Sequence, residues 1–187
     1  MENERETLER IAQWEELYEK IENRTTAAYL DLLNSMRFDY ENMGMLDKAY
    51  EKCIEAVNII NEKKYPTEKD SNLMLSLYDT MARCGDFRAY CIALEWNRPI
   101  EKQFFLPRKR ILEKHGLVQA MQDMVDDKLD FLFVSLPPRI GKSTLGLFLL
   151  TFMAGLYPER AILGNGHSAS LTQAFYNEVV NVMTSEE

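Results

Sequence analysis

The sequence has no apolar run as long as the roughly 18–20 residues that a bilayer-spanning helix requires. Its first ten residues, MENERETLER, are rich in charge, which argues against a secretory signal peptide. The three cysteines, Cys53, Cys84 and Cys91, lack CxxC spacing, and two histidines are too few to complete a typical zinc site with them. We therefore expect reduced thiols and a cytoplasmic protein.

Basic charge is also scarce, and so are glycine and proline. The net charge of −8 excludes the broad basic surface typical of nucleic-acid-binding domains, although basic residues cluster locally within 98–115. Any contact with nucleic acid must use that patch or surfaces outside this chain. Only 8 glycines and 6 prolines in 187 residues, with 46% apolar residues, indicate an ordered, helix-rich protein.

Helical periodicity dominates residues 1–95. Residues 3–22 predict one amphipathic helix, and residues 25–61 predict two more, separated at Gly44. Small residues at helical spacing follow that glycine (Ala49, Cys53, Ala56), a pattern typical of tetratricopeptide-like hairpins. A weaker version surrounds Gly85, 41 residues later, a longer period than the usual ~34. We predict an all-helical hairpin module over 1–95, with too few units for a true repeat array.

Residues 96–128 predict a connector followed by a helix. Pro99 and Pro107 should stop helices in the connector, and the helix after residue 110 should break near Gly116. Residues 129–187 then predict the first part of an α/β P-loop NTPase core. The predicted order is strand 129–136, helix 143–156, strand 161–166 and helix 168–185, the last with Ser168 as its N-cap.

The segment LPPRIGKST, residues 136–144, has the features of a phosphate-binding loop. Gly141 allows a close backbone approach, Lys142 reaches phosphate oxygens, and Ser143 at the helix start is a Mg²⁺ ligand. The loop departs from the standard pattern because Leu136 stands where its first glycine is expected. Arg139 is either a solvent-facing loop residue or a cation that contacts the γ-phosphate.

The loop, together with FFLPRKRIL before it and AGLYPERAILGNGHSASLTQAFYNEV after it, resembles the large terminases of tailed phages of Gram-positive hosts. These are ATP-driven motors that package DNA. The resemblance covers about residues 95–187 and, more loosely, the helical region before them. It implies ATP and Mg²⁺ as cofactors, catalytic roles for Lys142 and Arg139, Ser143 as metal ligand, and this nucleotide-binding set: Pro138, Arg139, Ile140, Gly141, Lys142, Ser143, Thr144 and Gln119. Gln122 is an alternative adenine contact, and for both glutamines a solvent-facing helix position is the competing interpretation.

The resemblance also implies partners and a setting. Double-stranded viral DNA would be bound mainly by regions outside this chain, with the small terminase subunit and the portal as protein partners, in the cytoplasm of a bacterial host. Self-association is a further expectation. The Walker B carboxylates and the nuclease of the family are not found in the sequence, so we expect an N-terminal part of a larger protein that hydrolyses ATP negligibly by itself.

Two alternatives stay open from the sequence. One is a different P-loop machine such as a helicase, which the deviant residues 136–139 disfavour. The other is a helical protein-interaction module that carries a vestigial nucleotide site. The acidic charge and the helical hairpins of residues 1–95 favour protein partners over DNA for that module.

Overall fold

The computed structural model describes the backbone of residues 2–137 and 140–184, and side chains from residue 4 onward within those ranges. These residues divide into two compact units, Met1–Ala89 and Tyr90–Glu187. The helices are α1 (Glu2–Lys20), α2 (Ala27–Asn42), α3 (Leu46–Glu62), α4 (Glu68–Arg83), α5 (Phe87–Glu95), α6 (Phe105–Lys114), α7 (Leu117–Val125), α8 (Lys142–Leu156) and α9 (Ala169–Thr184), with a short 3-10 helix at Ile100–Lys102. No helix within the described ranges is both long and apolar enough to cross a bilayer.

The first unit contains two turns of the same design. Gly44 ends the α2–α3 turn region with φ 69°, and Gly85 occupies the same place after α4 with φ 99°. In each turn the residue after the glycine donates its N–H to the carbonyl four residues before the glycine, at 2.8 and 3.0 Å. This is the long hydrogen bond of a Schellman motif, which needs a left-handed residue and therefore favours glycine. The sequence placed both turns correctly.

The core of the first unit lies between α2, α3, α4 and the start of α5. The small residues at helical spacing on α3 are fully buried, which lets neighbouring helices approach closely, as predicted. The buried side chains include Tyr29, Leu33, Met36, Ala49, Cys53, Ala56, Leu77 and Phe87.

A buried carboxylate docks α1 onto α2. Arg10 Nη2 lies 2.9 Å from Asp39 Oδ1, and the indole Nε1 of Trp14 donates to Asp39 Oδ2 at 3.0 Å. The Arg10 hydrogen bond, followed by that from Trp14, lowers the pKa of Asp39 against the opposing effect of burial. Trp14 is the unit's one tryptophan, so its fluorescence reports on this unit alone.

Asp70 forms a second charged anchor, at the N-terminus of α4. Its Oδ2 accepts from the backbone N–H of Thr67 at 2.8 Å, completing a capping box, and its Oδ1 accepts from Lys63 Nζ at 2.5 Å. The ammonium of Lys63 is the main cause that lowers the pKa of Asp70 to about 2, and the Thr67 N–H is the next.

Acid is expected to weaken the first unit through Asp70. The pKa of Asp70 in the folded protein lies below the ordinary 3.8. Its contribution to the free energy of unfolding is therefore present above pH ~4 and is lost as the pH falls toward 2. The side chain is buried, and the shift corresponds to about 2 kcal/mol. Urea unfolding of a Trp96→Phe variant, followed by Trp14 fluorescence, measures this between pH 5 and 2.5. Asp70→Asn should flatten the pH dependence, whereas the exposed control Asp31→Asn should not; equal slopes in all three proteins would refute the assignment.

In the second unit, one glutamate organises the segment after α5. The carboxylate of Glu95 is fully buried and accepts three backbone hydrogen bonds, from the N–H groups of Phe104 and Phe105 at 2.7 Å and of Leu106 at 3.0 Å. It thereby caps the N-terminus of α6 from ten residues away. The prediction that Pro107 stops a helix is wrong. Pro107 lies in the first turn of α6, where a backbone N–H would have no acceptor within the helix, so its missing N–H costs no hydrogen bond.

α8 is anchored along its length. The Tyr90 hydroxyl lies 2.8 Å from the Thr151 hydroxyl, and the Tyr90 and Phe152 rings are 5.0 Å apart. Five residues of this helix are buried: Leu145, Leu147, Phe148, Thr151 and Phe152. Between α6 and α7 the chain breaks at Gly116, φ 70°, where the sequence predicted a break.

The prediction of an α/β P-loop NTPase core is wrong. Residues 129–136 and 161–166 form no strands, and the described part of the chain contains no sheet; it is helical. Three of the apolar side chains assigned to a sheet interior are open to solvent: Phe131 is 80%, Phe133 93% and Leu163 92% exposed. A strand exists only when a neighbour satisfies its backbone N–H and C=O groups, and neither run has such a neighbour among the described residues.

Candidate functional site

The predicted phosphate loop leads directly into α8. Gly141 is the N-cap residue, in the left-handed conformation with φ 89° and ψ 32°, and Lys142 is the first helical residue. Gly141 precedes the helix in the left-handed conformation, and its carbonyl opens the helix by accepting from the N–H of Leu145 at 3.0 Å. Lys142 and Ser143 are exposed.

The N-terminal end of α8 suits an anion. Among the described residues no side chain caps this end, and its first turn holds no acidic residue. The first-turn N–H groups have no partner within a helix, and the helix dipole adds positive potential there. The exposed ammonium of Lys142 reinforces it. Phosphate is one of the anions that such an end binds.

A cavity of about 480 Å³ lies beside this end of the helix, between α8 and α9. Ser143 lines it from α8, and the segment 164–167, which includes His167, lines it from the other side. From α9, Phe175 adds an apolar side chain to the cavity lining and Glu178 adds an acidic one. The volume falls within the range of small-molecule sites.

Ser168 ends this segment and caps α9. Its Oγ accepts from the N–H of Leu171 at 3.4 Å, and its carbonyl accepts from the N–H of Thr172 at 3.0 Å. The capping role predicted for Ser168 is therefore confirmed. The turn 164–168 places His167 at the cavity wall because the helix begins immediately after it.

The other residues predicted from the sequence to bind the nucleotide lie in different places. Pro138 and Arg139 lie outside the described residues. Ile140 and Thr144 are half-buried beside the exposed pair at the start of α8. The structure brings Gln119 into no contact with the cavity: its side chain is exposed on α7 and donates to Asp123 Oδ1 at 3.0 Å.

Gln122, the alternative adenine contact, behaves similarly. Its Nε2 donates to Asp126 Oδ1 at 2.8 Å, an i to i+4 pair along α7. Neither glutamine is among the described residues that line the cavity. A solvent-facing helix position describes Gln119, which is exposed, whereas Gln122 is half-buried.

The cavity lining includes oxygen donors of the type that Mg²⁺ prefers. This ion retains several waters and takes one or two protein oxygens beside those of a phosphate, so it does not need an all-protein cage. The hydroxyl of Ser143 and the carboxylate of Glu178 are hard oxygen donors that line one cavity. No cluster of three or more His, Cys, Asp or Glu side chains suited to a metal occurs within the described ranges.

Sequence reasoning missed the aromatic residue that contacts Gly141. A Cβ built on Gly141 would lie 1.9 Å from Cε2 of Phe104, so this ring covers the glycine. It also missed Glu95, which holds the backbone of Phe104. A glutamate inside the otherwise apolar run YCIALEW is the one signal that could have marked it, because a buried carboxylate requires donors.

Comparison with known proteins found no match among protein-family models, curated proteins or solved structures.

Proposed function

We propose that the chain is an N-terminal part of a phage large terminase and binds ATP through its phosphates at the start of α8. The observation that carries this proposal is the position of Gly141-Lys142-Ser143 at a helix N-terminus that no described side chain caps. The sequence resemblance supplies the family, and the local geometry supplies a physical reason for phosphate binding.

Each residue has a definite part in the proposed site. The first-turn N–H groups of α8 bind phosphate oxygens, and Lys142 neutralises their charge as a flexible cation. Ser143 provides a hydroxyl for Mg²⁺, and the cavity beside it leaves room for the hydrated ion. In the whole motor, double-stranded DNA, the small subunit and the portal are the proposed partners.

Loss of the lysine is the direct test. Lys142→Ala is expected to weaken binding of a fluorescent ATP analogue about 10- to 100-fold, the usual cost of removing a charge-assisted hydrogen bond. The titration is performed on the full chain with Mg²⁺ present. A matched control is Lys102→Ala, which removes an exposed lysine of the same unit. Equal affinities of wild type and Lys142→Ala, or no binding by wild type, would contradict the proposal.

A further inference from the structure

The start of α8 rests against an aromatic ring that lies outside the motif. The Phe104 ring occupies the space that any side chain at position 141 would need, since a Cβ there would come within 1.9 Å of it. The same ring packs edge-on against Phe148 of α8, with centroids 6.3 Å apart. Phe104 therefore contacts both the glycine that opens the helix and the helix itself.

Phe104 is itself held on both sides of its backbone. Its N–H donates to Glu95 Oε1 at 2.7 Å, and its carbonyl accepts from Arg108 Nη1 at 3.0 Å. The Arg108 guanidinium also lies 5.0 Å from the centroid of the ring, within the range of a cation–π interaction. Glu95 is fully buried and accepts hydrogen bonds from two further amides. These contacts hold the backbone of Phe104 in one position.

We propose that Phe104 is a positioning residue for the start of α8, where the phosphate is proposed to bind. Its ring holds Gly141 in the left-handed conformation from which α8 begins, so the first-turn N–H groups and Lys142 are arranged before a phosphate arrives. The inference rests on the proposed function for its ligand. The contact matters for affinity because a loop that must be ordered by its ligand binds that ligand more weakly.

The contact can be tested without nucleotide. In Phe104→Ala, hydrogen exchange of the Leu145 amide, which donates to the carbonyl of Gly141, should become faster, because the ring no longer fixes Gly141. Phe104→Leu, which keeps apolar bulk at the same place, should restore slow exchange. Phe133→Ala is the control, since that ring is 93% exposed and its loss should change nothing.

Nucleotide affinity provides a second readout. Phe104→Ala should weaken binding of the fluorescent ATP analogue roughly tenfold. This factor corresponds to the cost of ordering about one backbone residue on binding. In Gly141→Ala the added methyl group and the ring compete for one place. Adding Phe104→Ala to that variant should therefore recover part of the lost affinity, the reverse of its effect in wild type. A purely structural role would weaken binding in both backgrounds.

The outcomes separate the two proposals. Faster exchange at Leu145 together with the reversal of sign supports the positioning role. Unchanged exchange in Phe104→Ala overturns it, whatever the titration gives. If exchange becomes faster but wild type binds no analogue, the contact is supported and the proposed function is overturned.

Discussion

Replacing Glu95 with alanine is expected to lower the free energy of unfolding of residues 90–187 by about 3–5 kcal/mol, because three backbone N–H groups lose a charged acceptor at once. One of those amides, that of Phe105, belongs to a fully buried residue, so water cannot easily replace the carboxylate there. An ordinary N-cap loss costs only about 0.5–2 kcal/mol, which is why the expected effect exceeds that of a cap alone.

The measurement uses the second tryptophan. In a Trp14→Phe background, Trp96 fluorescence follows the unfolding of the second unit in urea. Glu95→Gln keeps one acceptor oxygen but turns an NH₂ group toward an amide, so it should cost more than half as much as the alanine variant. Glu101→Ala removes an exposed glutamate nearby and should cost under ~0.5 kcal/mol. A Glu95 effect as small as that of Glu101 would refute the capping role.

The helices could be predicted from sequence because their information is local. The segments predicted at 3–22, 143–156 and 168–185 became α1, α8 and α9 with ends shifted by only a few residues. Periodic apolar residues, caps and a turn glycine all lie within a few positions of the backbone groups they affect. The same locality explains why the turns at Gly44 and Gly85 were placed correctly.

The strand predictions were wrong because strand formation depends on contacts that are not local in sequence. The apolar run at 129–136 resembles a buried strand in composition, but strand formation depends on a partner that no local pattern specifies. Phe133, assigned to a sheet interior, is 93% exposed. The candidate site divides in the same way. The motif predicted a helix start at Ser143, one residue after the observed start at Lys142. The contact between Phe104 and Gly141 joins residues far apart in sequence and required the structure.

The second large effect is expected at Arg37 in the first unit. Its guanidinium is 7% exposed and joins α2 to α4 by donating to the hydroxyls of Thr80 and Ser76, at 2.5 and 2.6 Å. It also donates to Asn34 Oδ1 at 2.9 Å and lies 3.5 Å from Glu41 Oε2. Arg37→Met keeps the apolar stem but removes the charged donor from the buried hydroxyl of Thr80 and from the half-buried Ser76 and Asn34. The expected loss is about 3–5 kcal/mol, measured by urea unfolding with Trp14 as the reporter in a Trp96→Phe background.

Arg83 offers a matched comparison, because it binds the same carboxylate. Its Nε lies 2.7 Å from Glu41 Oε1, closer than Arg37 does, but its side chain is 55% exposed. Distance alone would rank Arg83 as the more important partner; burial ranks Arg37 first, since an exposed ion pair contributes only about 0–1 kcal/mol. We therefore expect Arg83→Met to cost at least ~2 kcal/mol less than Arg37→Met. A larger loss for Arg83→Met would show that the ion pair with Glu41, rather than the buried hydrogen bonds to Thr80 and Ser76, joins these helices.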